Sequence, residues 1–507
     1  MDLDYYRLTG PQKVLYKTKK ALAGIGRGFC GFWVKLAKGI AGFFTGIYTG
    51  IRDLALNWWR GDALTKLSYG VMGAGHVTRG QTVRGIIYML LEAAFVLYMV
   101  AFGGNYLSMF FQNFFTGGNL GRVETHISEI WDDALGEYPV IPGDNSFQIL
   151  LYGILTLFVI LFFAMFWRAS VRESYALEQM KIVGKKPDNF RREVGRFLDG
   201  KFYITLLALP LLGLFVFTII PLVTMILIAF TNYDQAHEVP KYLFQWVGFQ
   251  NFKDLFATGS KLGATFWRVL SWTLTWAVLA TFTSYFFGML LAMLINKKGI
   301  KLKKMYRTIF VSTIAVPQFV SLLIMSKMLD ADGGIITQWV NTLFHTKLLF
   351  GLDITDTRIC IVLVNMWIGV PYSMLMCSGI LMNIPEDLYE SARIDGASPV
   401  RQFCKITLPY MLFVTGPYLI TQFIGNINNF NVIYLLSGGG PGHPTLYSDG
   451  AQGTDLLITW LYKLSLGNDR NYKLASVIGI LVFVISAVFS LIVYNRSSAV
   501  QGEDNFQ

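Results

Sequence analysis

Charged residues are scarce in this chain of 507 residues: only 15% are Asp, Glu, Lys or Arg, against about 25% in soluble domains. Cysteine and histidine are scarcer still, with four and five copies. Neither shows a spacing typical of a disulfide framework or a metal site, so we expect no disulfide and no bound metal. Hydrophobic residues make up 53% of the chain, and the mean hydropathy is +0.46. This composition predicts an all-α polytopic membrane protein.

Two motifs that would define other classes of protein are also missing. No GxxxxGKS or GxxxxGKT stretch occurs, so we do not expect the chain to hydrolyse ATP itself. The run Gly438–Gly442 resembles a phosphate-binding loop only superficially, because no Lys-Ser or Lys-Thr follows it, and we interpret it as a turn. The N-terminus is polar and basic, which argues against a cleavable signal peptide.

Eight segments are apolar over the roughly 20 residues that cross a bilayer. They lie near residues 86–110, 147–167, 203–230, 269–296, 308–329, 359–382, 410–436 and 474–494. The connections 168–201 and 297–307 are rich in Lys and Arg, whereas 111–146 and 330–357 hold only Arg122 and Lys347. Since cytoplasmic connections carry the excess of basic residues, both termini are expected in the cytoplasm. This bias explains the net charge of +11, and we expect no nucleic-acid partner.

Residues 1–85 form a basic region ahead of the first predicted span. Apolar residues recur there at helical spacing, namely Phe29, Phe32, Trp33, Leu36, Ile40, Phe43, Phe44, Ile47, Ile51 and Leu54. This pattern predicts an amphipathic helix in the cytoplasmic membrane interface. Glycines at 39, 42, 46 and 50 weaken the helical pattern. A very short spanning hairpin is the alternative that stays open.

The stretch 383–409 predicts two short helices with a tight hinge between them. Pro385 suits a first helical position, and Gly396 supplies the left-handed residue that ends the first helix. Ser398 is expected to cap the second helix, and Pro409 is expected to end it. Such punctuation between two predicted spans indicates a docking surface. The alternative is an ordinary interfacial helical hairpin.

The same stretch carries a resemblance to a known family. The run Glu390-Ser-Ala-Arg-Ile-Asp395-Gly396-Ala397, with Phe403, Ile406, Leu408 and Pro409 at fixed offsets, resembles the EAA loop of permease subunits in ATP-binding-cassette (ABC) importers. Ser391 stands where the family has its first Ala. The resemblance implies that Glu390, Ser391, Ala392, Asp395, Gly396 and Ala397 couple the chain to an ATPase. Glu390 would be the polar anchor, and Asp395-Gly396 would shape the hinge.

A wider resemblance, over roughly residues 200–495, is to the larger membrane subunit of maltose/maltodextrin importers. It includes Val247-Gly248-Phe249-Gln250-Asn251-Phe252, which resembles the start of the transport core in sugar-type permeases. The resemblance implies a six-span type I core at 202–496, two added spans within 86–201, the basic region 1–85 and a cytoplasmic tail at 497–507.

It also implies the location and the partners. The chain would lie in the bacterial cytoplasmic membrane with a second homologous permease, two ATPase subunits, an extracytoplasmic sugar-binding protein and an oligosaccharide. ATP and Mg would belong to the ATPase subunits, so this chain is expected to hold no cofactor of its own.

Polar residues share one helical face in each of two predicted spans: Asn365, Gly369 and Tyr372 in the sixth, and Gln422, Asn426 and Asn429 in the seventh. Amides hydrogen-bond hydroxyls, and aromatic rings suit the apolar face of a sugar, so the pattern fits an uncharged polyol. The same residue types also pack membrane helices against each other. The pattern by itself leaves both interpretations open.

The resemblance implies which residues would line a sugar site: Asn365, Ile368, Gly369, Tyr372, Gln422, Gly425, Asn426 and Asn429. Gly425 stands where the maltose permease has an aromatic residue, and Gln422 where it has a small hydroxyl residue. Since the loss of a ring should widen the pocket, we expect a different or longer saccharide.

Two charged residues fall at membrane depth, Glu92 and Lys327, and we interpret them as capping or snorkelling groups rather than a proton relay. An ion-coupled secondary sugar transporter is the alternative function, but it would call for inverted repeats and intramembrane acids. A membrane glycan enzyme would call for paired carboxylates. Neither pattern is apparent, and the importer permease is the leading hypothesis.

Overall fold

The computed structural model describes residues 34, 37–39, 41–42, 44–127, 140–187, 192, 194–195, 199–200, 202–239, 241–297, 299–467 and 470–494. The predicted tail 497–507 and most of the predicted amphipathic segment before residue 44 lie outside this part. The described chain divides into two compact units, one of Lys35–Asn251 and one that contains the chain from Phe252 onward. The third span falls in the first unit, so the predicted core boundary at 202 stays a prediction.

The first unit is built from helices, with a few strands of two residues each. Its helices cover residues 44–60, Ala63–Gly70, Ala74–Thr78, Thr82–Tyr98, Gly104–Phe111, Ser146–Ile182, Phe202–Leu214 and Ile220–Ile228. π-Helical turns at Met99–Gly103 and Phe215–Ile219 make continuous spans of Thr82–Phe111 and Phe202–Ile228. The strands pair antiparallel, Gly118–Asn119 with Gln245–Trp246 and His126–Ile127 with Val140–Ile141.

The second span, Ser146–Ile182, is longer than a bilayer requires. Its 37 residues extend over about 55 Å, against about 30 Å for the hydrocarbon core. Asn145 fixes its start, because the side chain accepts hydrogen bonds from the backbone N–H of Phe147 at 3.0 Å and of Gln148 at 3.1 Å. The far end is polar and packs against the short helices Ala63–Gly70 and Ala74–Thr78.

Arg79 is the centre of a buried ionic network at this packing site, with a side chain only 2% exposed. Its guanidinium donates to Asp62 and, at 2.7 Å, to the carbonyl of Ser174, and lies 3.7 Å from Glu178. Glu178 accepts in turn from the Thr65 hydroxyl at 2.7 Å. Burial raises the pKa of the Asp62 carboxyl, but its hydrogen bonds to Arg79 and Thr65 outweigh burial and lower it. Each charge in this network therefore has a partner.

Glu92, for which the sequence predicts a capping or snorkelling role, is bonded to the backbone of a neighbouring turn. Its carboxylate accepts a hydrogen bond of 2.7 Å from the backbone N–H of Met72, which lies between the helices Ala63–Gly70 and Ala74–Thr78. Lys327 lies exposed in the last turn of its helix, where a cation is favoured by the helix dipole.

The helix at residues 44–60 exposes an apolar stripe that contains Phe44, Tyr48, Ile51 and Trp59, the last of them 80% exposed. The opposite side is packed, since Gly50 is buried against the guanidinium of Arg168. The described part of the predicted amphipathic segment is thus helical. Its position at the membrane surface stays a prediction.

The second unit contains the remaining spans. The fourth is Lys261–Asn296, the sixth Ile354–Leu381, the seventh Pro399–Ile427 and the eighth Tyr472–Val493. Shorter helices lie between them at Ile335–Phe344, Glu386–Ile394, Phe430–Ser437 and Leu457–Leu466, while Gln250–Phe256 precedes the fourth span. Trp272 and Trp276 of the fourth span pack with Ile361 and Val364 of the sixth to form the centre of its core.

The fifth predicted span, 308–329, is not one straight helix. Lys303–Ala315 and Gln318–Met328 meet at an angle of 89°. Pro317 explains the break, because it has no N–H to donate and restricts the preceding residue to an extended conformation, with Val316 at ψ 124°. The described chain therefore has seven spanning helices, or the predicted eight if the bent pair counts as one span.

The predicted seventh span, 410–436, is wrong at both of its ends. The helix begins earlier, at Pro399, and stops at Ile427. Asn429 then caps a separate helix, Phe430–Ser437, by accepting from the backbone N–H of Val432 at 3.2 Å.

The connection after Phe430–Ser437 turns where the sequence predicts it, with Gly438 and Gly439 at φ 62° and 87°, a conformation that favours glycine. Asp455 lies buried beneath this turn and is paired with Lys463 at 2.8 Å. Burial raises the pKa of the Asp455 carboxyl, and the ion pair opposes that shift only in part. The turn is therefore fixed by a buried ion pair.

Candidate functional site

The predicted docking stretch folds as a helix that ends in a Schellman motif. Glu386–Ile394 is helical, with Pro385 as its N-cap rather than its first helical residue as predicted. Gly396, at φ 73°, donates to the carbonyl of Arg393, and Ala397 donates to that of Ala392 at 2.9 Å. These two bonds satisfy carbonyls that the helix end leaves free, so the predicted hinge at Asp395-Gly396 has a defined geometry.

Ser398 caps the next helix as predicted, by accepting from the backbone N–H of Arg401. The prediction that Pro409 ends this helix is wrong, since the helix continues to Ile427. A π-helical turn at Phe403–Thr407 explains the continuity, because its wider turn accommodates the proline ring and its missing hydrogen bond. The docking stretch therefore runs into the seventh span without a break.

A hydrogen bond fixes the helix Glu386–Ile394, here called the docking helix, to this span: the hydroxyls of Tyr389 and of the buried Thr407 lie 2.8 Å apart. Most of the docking helix is exposed, including Glu390 and Ser391, whereas Ala392 is half-buried; Asp395 at its C-cap is also exposed. Apolar side chains are exposed beside them, Ile394 at 87% and Val400 at 71%. Exposed apolar side chains next to an exposed acidic residue are typical of a protein-binding surface.

A cavity of about 490 Å³ lies between the fourth, fifth, sixth and seventh spans, within the range of small-molecule sites. It is lined by seven of the eight predicted substrate residues, namely Asn365, Ile368, Gly369, Tyr372, Gln422, Asn426 and Asn429. Gly425 is not among the lining residues. The two predicted faces, which are 50 residues apart in sequence at their nearest members Tyr372 and Gln422, thus meet around one space.

Three of the amides in the cavity connect helices. Asn426 donates to the Thr281 hydroxyl of the fourth span at 3.0 Å, and Asn429 donates to Asn426 at 3.2 Å. Asn365 lies 3.4 Å from the hydroxyl of Ser284, also on the fourth span. Helix packing, one of the two interpretations left open by the sequence, thus describes these three residues.

Tyr372 and Gln422 behave differently. Both are exposed to the cavity, Tyr372 at 49%, and the structure gives their side chains no hydrogen bond to any described residue. A hydroxyl and an amide without partners can still bind a ligand. The second interpretation, substrate contact, therefore applies best to these two.

The two glycines of the predicted set differ in their surroundings. A Cβ at Gly369 would lie 2.8 Å from the Ser284 hydroxyl oxygen and 3.1 Å from its Cβ, so glycine allows the sixth span to approach the fourth. A Cβ at Gly425 would meet nothing within 4 Å. Gly425 thus adjoins open space but does not line the cavity, so a pocket widened by the missing ring stays a prediction.

The fourth and fifth spans contribute lining residues that sequence reasoning missed. They include Thr281, Ser284, Tyr285 and Gln318, joined by Ser373 and Tyr418 of the sixth and seventh spans. A signal was present for the fourth span, since Thr281, Ser284 and Gly288 follow each other at offsets of three and four. No comparable pattern marks Gln318.

The lining is uncharged. Its 16 residues, all in the described part of the chain, include amides, hydroxyls and tyrosines but no Asp, Glu, Lys, Arg or His. A charged substrate would bind here without a counter-charge, which is unfavourable in a low-dielectric site. The cavity is suited to a neutral, hydroxyl-rich molecule, because its three tyrosines and several amides can hydrogen-bond hydroxyls and pack against apolar ring faces.

Together, these features define a multi-span membrane protein with a neutral polar cavity and an exposed docking helix. Residues 284–499 match the family described as binding-protein-dependent transport system inner membrane component. The maltodextrin transport system permease protein MdxF of Bacillus subtilis (strain 168) is 32% identical over 86% of this chain and 95% of that protein. The galactooligosaccharides transport system permease protein GanP of the same organism is 34% identical over 82% and 93%.

Among solved structures, a bacterial alginate ABC transporter in complex with a pentasaccharide-bound periplasmic protein is 22% identical, with a TM-score of 0.48, over 61% of this chain and 98% of that one. On the sequence matches, the chain belongs to the family of binding-protein-dependent inner membrane components and is a permease subunit of an ABC importer. The predicted family resemblance is confirmed.

Proposed function

We propose that this permease forms part of the path for a neutral oligosaccharide, of the maltodextrin type, delivered by an extracytoplasmic binding protein. The observation that carries the proposal is the uncharged cavity of about 490 Å³ lined by amides and tyrosines. The names of MdxF and GanP, which refer to maltodextrin and galactooligosaccharides, support the same class of substrate. Tyr372 and Gln422 contact the sugar in this proposal, and Asn365, Asn426 and Asn429 hold the helices around it.

The docking helix receives an ATPase subunit in the proposed complex, which contains two ATPases and a second homologous permease. Glu390 is exposed and has no partner among the described residues, so its carboxylate is available to a basic group on the ATPase. Ile394 and Val400 supply the apolar contact. ATP and Mg bind to the ATPase subunits. The basic connections support a cytoplasmic position of this helix and of both termini.

Coupling follows from the continuous helix Pro399–Ile427. Its 29 residues span about 43 Å, and its far third carries Tyr418, Gln422 and Asn426 of the cavity lining. Closure of the ATPase dimer moves the docking helix, and the Tyr389–Thr407 hydrogen bond passes that movement to the seventh span. To shift the permease, closure must stabilise the outward-facing state by more free energy than the resting preference for the inward-facing state.

The domain organisation in the proposal is the predicted one: a six-span core at 202–496 with two added spans at 86–201. An ion-coupled carrier is disfavoured, because the family to which the chain belongs works with a binding protein. The cavity lining also lacks the acidic residues that such carriers use.

The test is ATPase activity of the complex in lipid nanodiscs, with binding protein loaded from a panel of neutral and acidic oligosaccharides. Neutral saccharides should stimulate turnover, and Glu390→Lys should lower the stimulated rate at least tenfold, since bringing like charges together at an interface costs several kcal/mol. The matched control is Asp332→Lys, an exposed acid between the fifth and sixth spans, which should leave the rate unchanged. Stimulation by acidic saccharides alone would contradict the proposed substrate, and equal rates for the two variants would contradict the docking role.

A further inference from the structure

One wall of the cavity comes from the bend in the fifth span. Gln318 is the first residue of the helix Gln318–Met328 and follows directly on the break at Pro317. The bend of 89° brings this residue into the cavity lining, beside Ile368 and Tyr372 of the sixth span. A straight fifth span would not bring a residue from its middle into the cavity lining.

Gln318 also lines a second, smaller space. A cavity of about 20 Å³ adjoins the main one, and the two share Gln318, Ile368 and Tyr372 as lining residues. Its volume is enough for about one water molecule. Gln318 and Tyr372 therefore stand at the boundary between the space for a substrate and a space for water.

The side chain of Gln318 is exposed, and the structure gives it no hydrogen bond to any described residue. In this it matches Gln422 and Tyr372 and differs from Asn426, whose amide is bonded to Thr281. A glutamine amide both donates and accepts, so it can recognise a hydroxyl that does the same. Its hydrogen-bonding capacity is available to a ligand.

We propose that Gln318 contacts the substrate and determines specificity by hydrogen-bonding a sugar hydroxyl that lies next to Tyr372. The inference rests on the proposed function and adds the fifth span to the helices that select the saccharide. Because Pro317 sets the direction of the helix, the bend decides which hydroxyl the amide reaches. Saccharides that differ in configuration or length at that position are then distinguished.

The experiment measures competition between two neutral saccharides for uptake into proteoliposomes that hold the full complex. Gln318→Met keeps the length of the side chain and removes its hydrogen bonds. The transport ratio of the preferred to the competing saccharide should fall between about twofold and tenfold, the range for one hydrogen bond. Gln318→Ala should shift the ratio in the same direction, so the test does not depend on one variant.

Gln338→Met is the matched control, because Gln338 is an exposed glutamine on the helix Ile335–Phe344 and does not line either cavity. It should leave the ratio unchanged. A purely structural role of Gln318 would change total uptake and thermal stability but not the ratio.

Gln422→Met distinguishes a failure of the inference about Gln318 from a failure of the proposed sugar site. If Gln422→Met changes the ratio and neither Gln318 variant does, the inference about Gln318 is wrong while the sugar site stands. If Gln422→Met, Tyr372→Phe and both Gln318 variants all leave the ratio unchanged, the proposed sugar cavity itself is wrong.

Discussion

Two polar networks connect helices in this chain, and they are built on opposite principles. In the first unit, Arg79, Asp62 and Glu178 form an ionic network in which the Arg79 side chain is 2% exposed. In the second unit, the amides of Asn426 and Asn365 bond neutral hydroxyls of the fourth span. The first network is closed, since its charges are paired with each other. The second leaves groups around it without partners.

The difference shows what each network can do. Buried charges must be paired, so a network of this kind fixes one arrangement of its helices and is costly to open. Neutral amides tolerate a lower number of hydrogen bonds, because leaving one unmade costs less than leaving a buried charge alone. The neutral network can therefore surround a space in which the side chains of Tyr372 and Gln422 remain available for hydrogen bonds.

The largest expected effect comes from breaking the closed network with Arg79→Met. This change leaves Glu178, whose side chain is 11% exposed, without its cation, and it also removes the partner of Asp62, whose side chain is 43% exposed. We expect the free energy of unfolding to fall by about 3–5 kcal/mol, the usual result when one partner of a buried ion pair is removed. The measurement is thermal unfolding of the purified chain in detergent.

Arg52→Met is the control for Arg79→Met. The ion pair of Arg52 with Asp53 is exposed on both sides, at 57% and 50%, so its loss should cost less than about 1 kcal/mol. Equal unfolding temperatures for the two variants would mean that the buried network is not stabilising.

A smaller effect is expected at the neutral network, from Gly369→Val. The new Cβ would lie 3.1 Å from that of Ser284, and the branched side chain adds atoms that a rotation of Ser284 cannot accommodate. Overpacking of this kind costs about 1–3 kcal/mol and should separate the fourth and sixth spans, so uptake should fall together with stability. Gly425→Ala, where nothing lies within 4 Å, should keep both. A stable, active Gly369→Val protein would refute the close approach.

The smallest expected effect is a dependence of stability on pH, which only the ionic network should show because its members carry charges. The pKa of Asp62 is lowered by its hydrogen bonds to Arg79 and Thr65, in spite of its burial. Its contribution to stability is therefore present above the ordinary Asp pKa of about 3.9 and is lost as the pH falls through the lowered value.

Amide exchange in the helix Ala63–Gly70 measures this, because the Asp62 side chain accepts from the backbone N–H of Thr65 at 2.7 Å. Wild type should be better protected than Asp62→Asn at pH 7, and the difference should shrink below about pH 4. A difference that is independent of pH would show that the charge of Asp62 is not involved.

Much of the fold could be predicted because apolar length is a direct physical requirement of the bilayer. The first and third spans match segments expected from hydropathy alone, while the second begins where expected but continues past residue 167 to Ile182. Hydropathy carries no information about the direction of the helix axis, however, so it predicts a straight span where the chain bends at Pro317. The sequence predicts that Pro409 ends its helix, because the π-helical turn that accommodates this proline has no characteristic amino-acid composition by which it could be recognised.

The candidate site was predictable where helical periodicity and the family resemblance agreed. Asn365, Tyr372, Gln422 and Asn426 were expected to meet, and all line the same cavity. Periodicity could not divide them into residues that hold helices and residues that face open space, since that depends on which partner lies across the interface. Gln318 was missed because only the bend brings it to the cavity.

The open space at Gly425 bears on how such a permease can change over evolutionary time. A glycine inside a helix is less stable than alanine by about 0.5–1 kcal/mol, so a substitution there would strengthen the seventh span. With nothing within 4 Å of a Cβ placed there, alanine could be introduced without a clash. It would lie on the helical face that already carries Gln422 and Asn426. Because Gly425 does not line the cavity of about 490 Å³, this position can change over evolutionary time while the residues that line the cavity stay the same.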